Sequence, residues 1–142
     1  MLVLIQILIG SFILLVCALI HIMIIARMIR HLASHDHFAA HKTARHQLVT
    51  LCVLFLITLL SHTIQLYFCA LMLWLVGALQ GYEEPIYFSL VTYTTLGYGD
   101  VVLTPQFRIL GAMISVTGIV MFGMTTAFLV GLFGRILGEK TP

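Results

Sequence analysis

Three groups of residues in this chain have the types and spacing that chemistry needs. Thr95-Leu96-Gly97-Tyr98-Gly99-Asp100 sets two glycines one residue apart behind paired threonines, a pattern that breaks a helix and exposes main-chain polar groups. Its chemistry would be that of the backbone. His31, His35, His37, His41 and His46 cluster around Asp36, and the spacings 31/35 and 37/41 put pairs on one helix face, suited to a metal ion or a proton. No thiol joins them. Cys17, Cys52 and Cys69 lie inside apolar runs without a CxxC spacing, which reads as small buried side chains rather than disulfides or zinc ligands.

The elements that must position these residues are membrane helices. Of 142 residues, 61% are apolar and 8% charged, far from the roughly 25% charged usage of soluble domains. Apolar runs cover Leu2 to Ala26, Leu48 to Leu79 and Phe107 to Leu137, each long enough for the roughly 20 residues that cross a bilayer as a helix. The first run has no basic residue before it and ends at Arg27 rather than at small residues, so it reads as a retained helix and not a secretory signal. A net charge of +2 is too small to suggest nucleic acid. Arg27, Arg30, Lys42, Arg45, Arg135 and Lys140 all fall on one side of the three crossings. The positive-inside rule makes that side cytoplasmic, with the amino terminus outside and the carboxyl terminus inside. The histidine loop is then a basic juxtamembrane segment, for which contact with anionic lipid is the simplest role. Arg27 and Arg30 form a single pair at a helix end, which argues against voltage sensing. His21 and His62, inside spans, are expected to hydrogen-bond a neighbouring helix rather than titrate.

The outward segment from Gln80 to Gln106 is too apolar for a plain loop and too short for another crossing, so it reads as re-entrant. Glu83-Glu84-Pro85 starts a helix well, with carboxylates at the positive dipole end and proline in the first turn. A helix from Pro85 to Thr94 would be about 15 Å long. Gly97-Tyr98-Gly99 then puts non-helical backbone at membrane depth, tolerable only inside protein or along a water-filled path.

Tyr87 through Asp100, reading YFSLVTYTTLGYGD, resembles the pore helix and selectivity filter of potassium channels, and the similarity extends through the following helix. The resemblance implies that the carbonyls of Thr95, Leu96, Gly97 and Tyr98, with the Thr95 hydroxyl, replace the hydration shell of K+ in a ring of four chains. Gly97 and Gly99 would supply the backbone angles, and Asp100 would raise cation concentration at the outer mouth. Phe88, Val91 and Thr94 would support the filter, Phe88 as the best candidate to wedge the Tyr98 ring, with Tyr87 or Tyr93 as others. The carboxyl end of the pore helix would offer partial negative charge to the ion. Leu96 stands where valine or isoleucine is usual. Val91 replaces a glutamate that braces the aspartate in some relatives. Gly118 matches a gating hinge, with plain helix packing as the competing reading; Gly111, Gly131 and Gly134 read as packing glycines. Thr125 and Thr126 would wet the cavity, and Phe128, Leu132 and Phe133 would form an apolar constriction.

These readings give an all-α membrane protein of three transmembrane helices plus a re-entrant pore helix and filter loop, assembling as a tetramer. Its parts are an N-terminal transmembrane helix (1–30), a cytoplasmic histidine-rich loop (31–46) and a pore domain (47–142). The pore domain divides into an outer helix (47–80), pore helix (85–94), filter (95–100) and inner helix (106–137). The function expected is passive K+ conduction by a homotetramer, with no cofactor beyond the permeant ion and no enzyme activity. It would sit in lipid of the plasma membrane, or of the inner membrane in a bacterium. Two alternatives stand beside it: a weakly selective cation channel or regulatory subunit, and a metal-binding or pH-sensing membrane protein built on the histidine loop.

Overall fold

A computed structural model of the chain describes residues 2–34 and 43–138, with side chains as far as residue 134. Asp36, His35, His37, His41, Lys42 and Lys140 lie outside the described residues, and with them most of the expected histidine site. The described residues form four helices and no strand: α1 (Val3–Ser34), α2 (Ala44–Leu75), α3 (Glu83–Tyr93) and α4 (Arg108–Gly138). Three are long and apolar enough to cross a membrane, over Val3–Leu32, Ala44–Leu75 and Arg108–Gly134.

Helix ends follow local chemistry. α1 continues past Arg27 through His31 to Ser34, and α2 already includes Arg45 and His46. The segment read as a loop over 31–46 is therefore helical at both edges, since neither edge holds a glycine or proline to stop it. α2 stops at Leu75, short of position 80, because Gly77 takes a left-handed φ of 70°. Gly77 N then donates to Trp74 O at 3.0 Å and Ala78 N to Leu73 O at 2.9 Å, the Schellman pattern that closes a helix. α3 begins at Glu83, two residues before Pro85, so the proline occupies the third position, where its missing donor costs nothing.

α1 packs against α4 and α2, α2 against α3, and α3 against α4. At Gly10 the approach of α1 to α4 is so close that a Cβ atom would stand 2.5 Å from the Cβ of Met113. Gln6 of α1 is buried and its Oε1 accepts from Ile109 N at 3.1 Å and Leu110 N at 3.3 Å. It thereby satisfies donors that the first turn of α4 leaves open. One apolar cluster includes Ile13, Cys17, Cys69, Leu73, Tyr93, Leu110, Ile114 and Met121. A second joins Met28, Leu32, Leu54 and Leu132, with Phe128 packed against it. This corrects the expected constriction: Leu132 and Phe128 face their own chain's α1 and α2, leaving Phe133 exposed. Cys17 and Cys69 are buried as expected, whereas Cys52 is exposed on α2.

Candidate functional site

The glycine-rich segment grows directly out of the end of α3. Thr94 caps the helix, and its Oγ1 donates to Leu90 O at 2.7 Å. Thr95 N donates to Thr92 O at 3.0 Å and Leu96 N to Val91 O at 2.9 Å, the same terminating pattern that Gly77 makes for α2. Here the left-handed position is held by Thr95, at φ 61°. A β-branched residue in that region is strained by roughly 1–2 kcal/mol. Gly97 follows at φ 59° and Gly99 at φ 78°, so positive φ recurs at every second residue. Gly97 N also donates to Val91 O, at 3.2 Å. Val91 thus holds the start of the segment through its carbonyl, while its side chain is buried. Residues 94–100 are exposed on the single chain, Leu96 at 55% and Tyr98 at 68%.

The three aromatics expected around Tyr98 take separate directions. The Phe88 ring lies against α4, where its Cζ would be 3.2 Å from a Cβ on Gly111. Tyr93 turns toward α2, and its hydroxyl donates to Gln65 Oε1 at 2.8 Å. Tyr87 stays at the surface and donates to Asp100 Oδ2 at 2.5 Å, while Asp100 Oδ1 accepts from Val101 N at 3.1 Å. The Tyr87 hydrogen bond holds the Asp100 carboxyl below its ordinary range, and Asp100 in turn raises the Tyr87 phenol. Asp100 therefore has a brace, from a residue that sequence reasoning considered only as a ring neighbour. The thirteen-residue separation gave no periodic signal.

Gly118 marks the crossing of α3 and α4. A Cβ there would stand 1.8 Å from the Tyr93 carbonyl oxygen, so glycine is what lets α4 touch the carboxyl end of α3. Close by, Ser115 Oγ donates to Thr92 O at 3.1 Å. Gly111 also packs, against Leu103 and Phe88, whereas Gly131 and Gly134 have nothing within 4 Å of an added Cβ.

Beneath the end of α3 lies a polar cluster drawn from all four helices. His21 Nδ1 is 3.0 Å from Ser61 Oγ and 3.2 Å from Gln65 Nε2, and its Nε2 is 3.1 Å from Thr125 Oγ1. His62 Nε2 is 2.8 Å from the same Thr125 oxygen, and its Nδ1 is 3.0 Å from the Tyr93 hydroxyl. Thr125 is thus drawn toward α1 and α2; the neighbouring Thr126 is exposed and donates to Phe122 O at 2.9 Å. His21 and His62 hydrogen-bond neighbouring helices as expected. Gln65, Ser61 and Thr125 as their partners were not foreseen, although a glutamine inside an apolar run was a visible sign of polar helix contacts. Among the described residues no group of three histidine, cysteine or acidic side chains could hold a metal ion.

The geometry is that of a membrane helix set presenting a short, hydrogen-bonded, non-helical backbone at its surface. A family model described as ion channel matches residues 49–135, which takes in α3, the segment after it and nearly all of α2 and α4. No curated protein and no solved structure matches the chain.

Proposed function

Because the chain belongs to the ion channel family, a class of membrane transport protein and not of enzyme, we propose that it is a K+-selective channel subunit that conducts as a homotetramer. The observation that carries this reading is the alternation of φ sign, positive at Thr95, Gly97 and Gly99. In an ordinary strand successive carbonyls point to opposite sides; alternating handedness turns them toward one side. Four such segments around an axis would ring a dehydrated cation with the carbonyls of Thr95, Leu96, Gly97 and Tyr98 and the Thr95 hydroxyl.

The remaining parts take their places around that axis. α3 is the re-entrant pore helix, and its carboxyl end, at Tyr93 and Thr94, directs partial negative charge toward the ion path. Val91 and Thr94 support the filter through the hydrogen bonds at its start, and Phe88 does so by keying α3 to α4. Tyr98, exposed on one chain, wedges against a neighbouring copy. Asp100, tied to Tyr87, gives the outer mouth its charge. Gly118 is the point about which the lower half of α4 swings, since the contact there is backbone to backbone with no interlocked side chain. The amino terminus lies outside and the carboxyl terminus in the cytoplasm, in the plasma membrane or a bacterial inner membrane.

The test is ion flux. Purified protein in liposomes should release K+ in preference to Na+, with barium as a blocker. Equal permeability to the two ions would select the weakly selective channel, for which Leu96 in the filter leaves room. Tight zinc or nickel binding with no flux would select the histidine-loop protein.

A further inference from the structure

The last turns of α2 and the start of α3 leave a groove between them. α2 offers it Tyr67, Ala70, Leu71 and Trp74, spaced i, i+3, i+4 and i+7 and so on one helix face. Tyr82 and, in the first turn of α3, Pro85 and Ile86 form the facing wall. Ala70 and Pro85 are buried and make a floor without bulk, while Tyr67, Leu71, Trp74 and Tyr82 are exposed along the sides, Tyr82 at 85%. The cavity measures about 290 Å3, at the lower edge of the roughly 300–1,000 Å3 that small-molecule sites occupy. From Tyr67 to Trp74 it follows α2 for about 10 Å.

Position and charge select the occupant. The membrane-crossing stretch of α2 ends at Leu75, so Trp74 stands at the boundary between lipid and water and Tyr67 about two turns deeper. Aromatic side chains are common at that boundary. Here three of the eight lining residues are aromatic, against 11% of the whole chain, and they enclose a cavity rather than a flat belt. An aromatic face attracts a cation through its negative quadrupole, more strongly where water is excluded. Between Tyr67 and Ile86 the chain has no Lys, Arg or His, and its only charges are Glu83 and Glu84, both exposed in the first turn of α3. The two carboxylates do not line the groove, but they stand in the turn that joins Tyr82 to Pro85 and make its open end negative. An anionic head would be repelled there, and a neutral chain would leave the aromatic faces and the carboxylates unused.

We propose that this groove is a binding site for a small lipophilic cation. Its apolar body lies along Tyr67, Leu71 and Ile86, and its charged head sits between Trp74 and Tyr82, close to Glu83 and Glu84. None of the lining residues belongs to the proposed filter. The site nevertheless bears on α3, whose other end carries the glycine-rich segment. It stands independently of the channel reading, because occupancy is read without ion flux.

Trp74 is the only tryptophan of the chain, so its fluorescence reports the groove. The full chain in phosphatidylcholine nanodiscs is titrated with N-decylpyridinium, an aromatic cation that quenches indole on contact. Quenching should saturate, as the filling of one site does, on top of the linear rise that partition into lipid gives. Decyltrimethylammonium should displace the quencher, whereas decanol and decyl sulfate should need about tenfold more to do so. Tyr82→Ala, at an exposed position that contributes little to folding, should weaken the saturable binding about fivefold. Glu83→Gln combined with Glu84→Gln should weaken it about threefold at low ionic strength, and the difference should shrink as salt is added. Purely linear quenching overturns the proposal, because the groove is then filled by the choline lipid or by a neighbouring copy. Displacement by decanol as readily as by decyltrimethylammonium reduces the site to a plain apolar groove and overturns it as well. So does an affinity that neither set of substitutions changes.

Discussion

Thr95 concentrates what is unusual about this chain. It occupies the left-handed position that ends a helix, a place made for glycine, and pays in strain for keeping its side chain there. Thr95→Gly should therefore stabilise the fold by about 1 kcal/mol, the strain relieved less the larger entropy loss of glycine, read as a higher unfolding midpoint in detergent, while lowering the ratio of K+ to Na+ permeability. A variant both less stable and equally selective would remove the case for a strained ligand. At the outer mouth the sign of the pH effect follows from Tyr87 and Asp100. The Tyr87 hydroxyl depresses the Asp100 carboxyl, so their tie holds above the ordinary carboxylate range and is lost as pH falls through the lowered value. The phenol is raised, so on the alkaline side the tie outlasts the ordinary phenol range. In Tyr87→Phe the carboxylate should protonate at higher pH, and the acid-side loss of efflux should move up with it. An unmoved midpoint would show that the tie does not matter.

Helices meet here through glycines and polar caps as well as through the two apolar clusters. Gly118→Ala places a methyl group 1.8 Å from the Tyr93 carbonyl oxygen, and backbone cannot swing aside. A loss of about 1–3 kcal/mol is expected, read as a lower unfolding midpoint. Gly123→Ala is the control, since nothing lies within 4 Å there and alanine suits a helix better. If the two substitutions behave alike, α3 and α4 do not touch as described. α1, outside the stretch matched by the ion channel family, also earns a function at this scale. Gln6 caps α4 and His21 joins the polar cluster beneath α3, so the first helix is tied to the start and the middle of α4.

One copy of this chain leaves the proposed filter, Leu96 and Tyr98 included, on its outside. α4 likewise exposes Ile119, Val120, Phe122 and Val130, an apolar surface suited to lipid or to other copies. The conduction reading needs four copies around one axis. Cross-linking in liposomes, or native mass measurement from detergent, should give a fourfold assembly of the 15.8 kDa chain. A monomer or a dimer in the membrane would end the reading.

Much of this was legible without coordinates, because it depends on short stretches of chain. Three apolar runs of crossing length, the proline-started helix at Glu83-Glu84-Pro85 and the Gly97-Tyr98-Gly99 break are local facts, and local facts fix helix existence and the family. Helix ends were less legible: α2 stops at Gly77 by a backbone pattern that its apolar run conceals. What the fold alone decided is which side chains meet. Val91 acts through its carbonyl, Tyr87 reaches Asp100, Leu132 turns into its own chain, and His21, His62, Gln65, Tyr93 and Thr125 meet in one polar cluster from four helices. Hydrophobic runs and spacing specify that a helix crosses the membrane, but not its rotation or depth against its neighbours. Those are set by glycine contacts and by buried polar groups that must find partners where no water can serve.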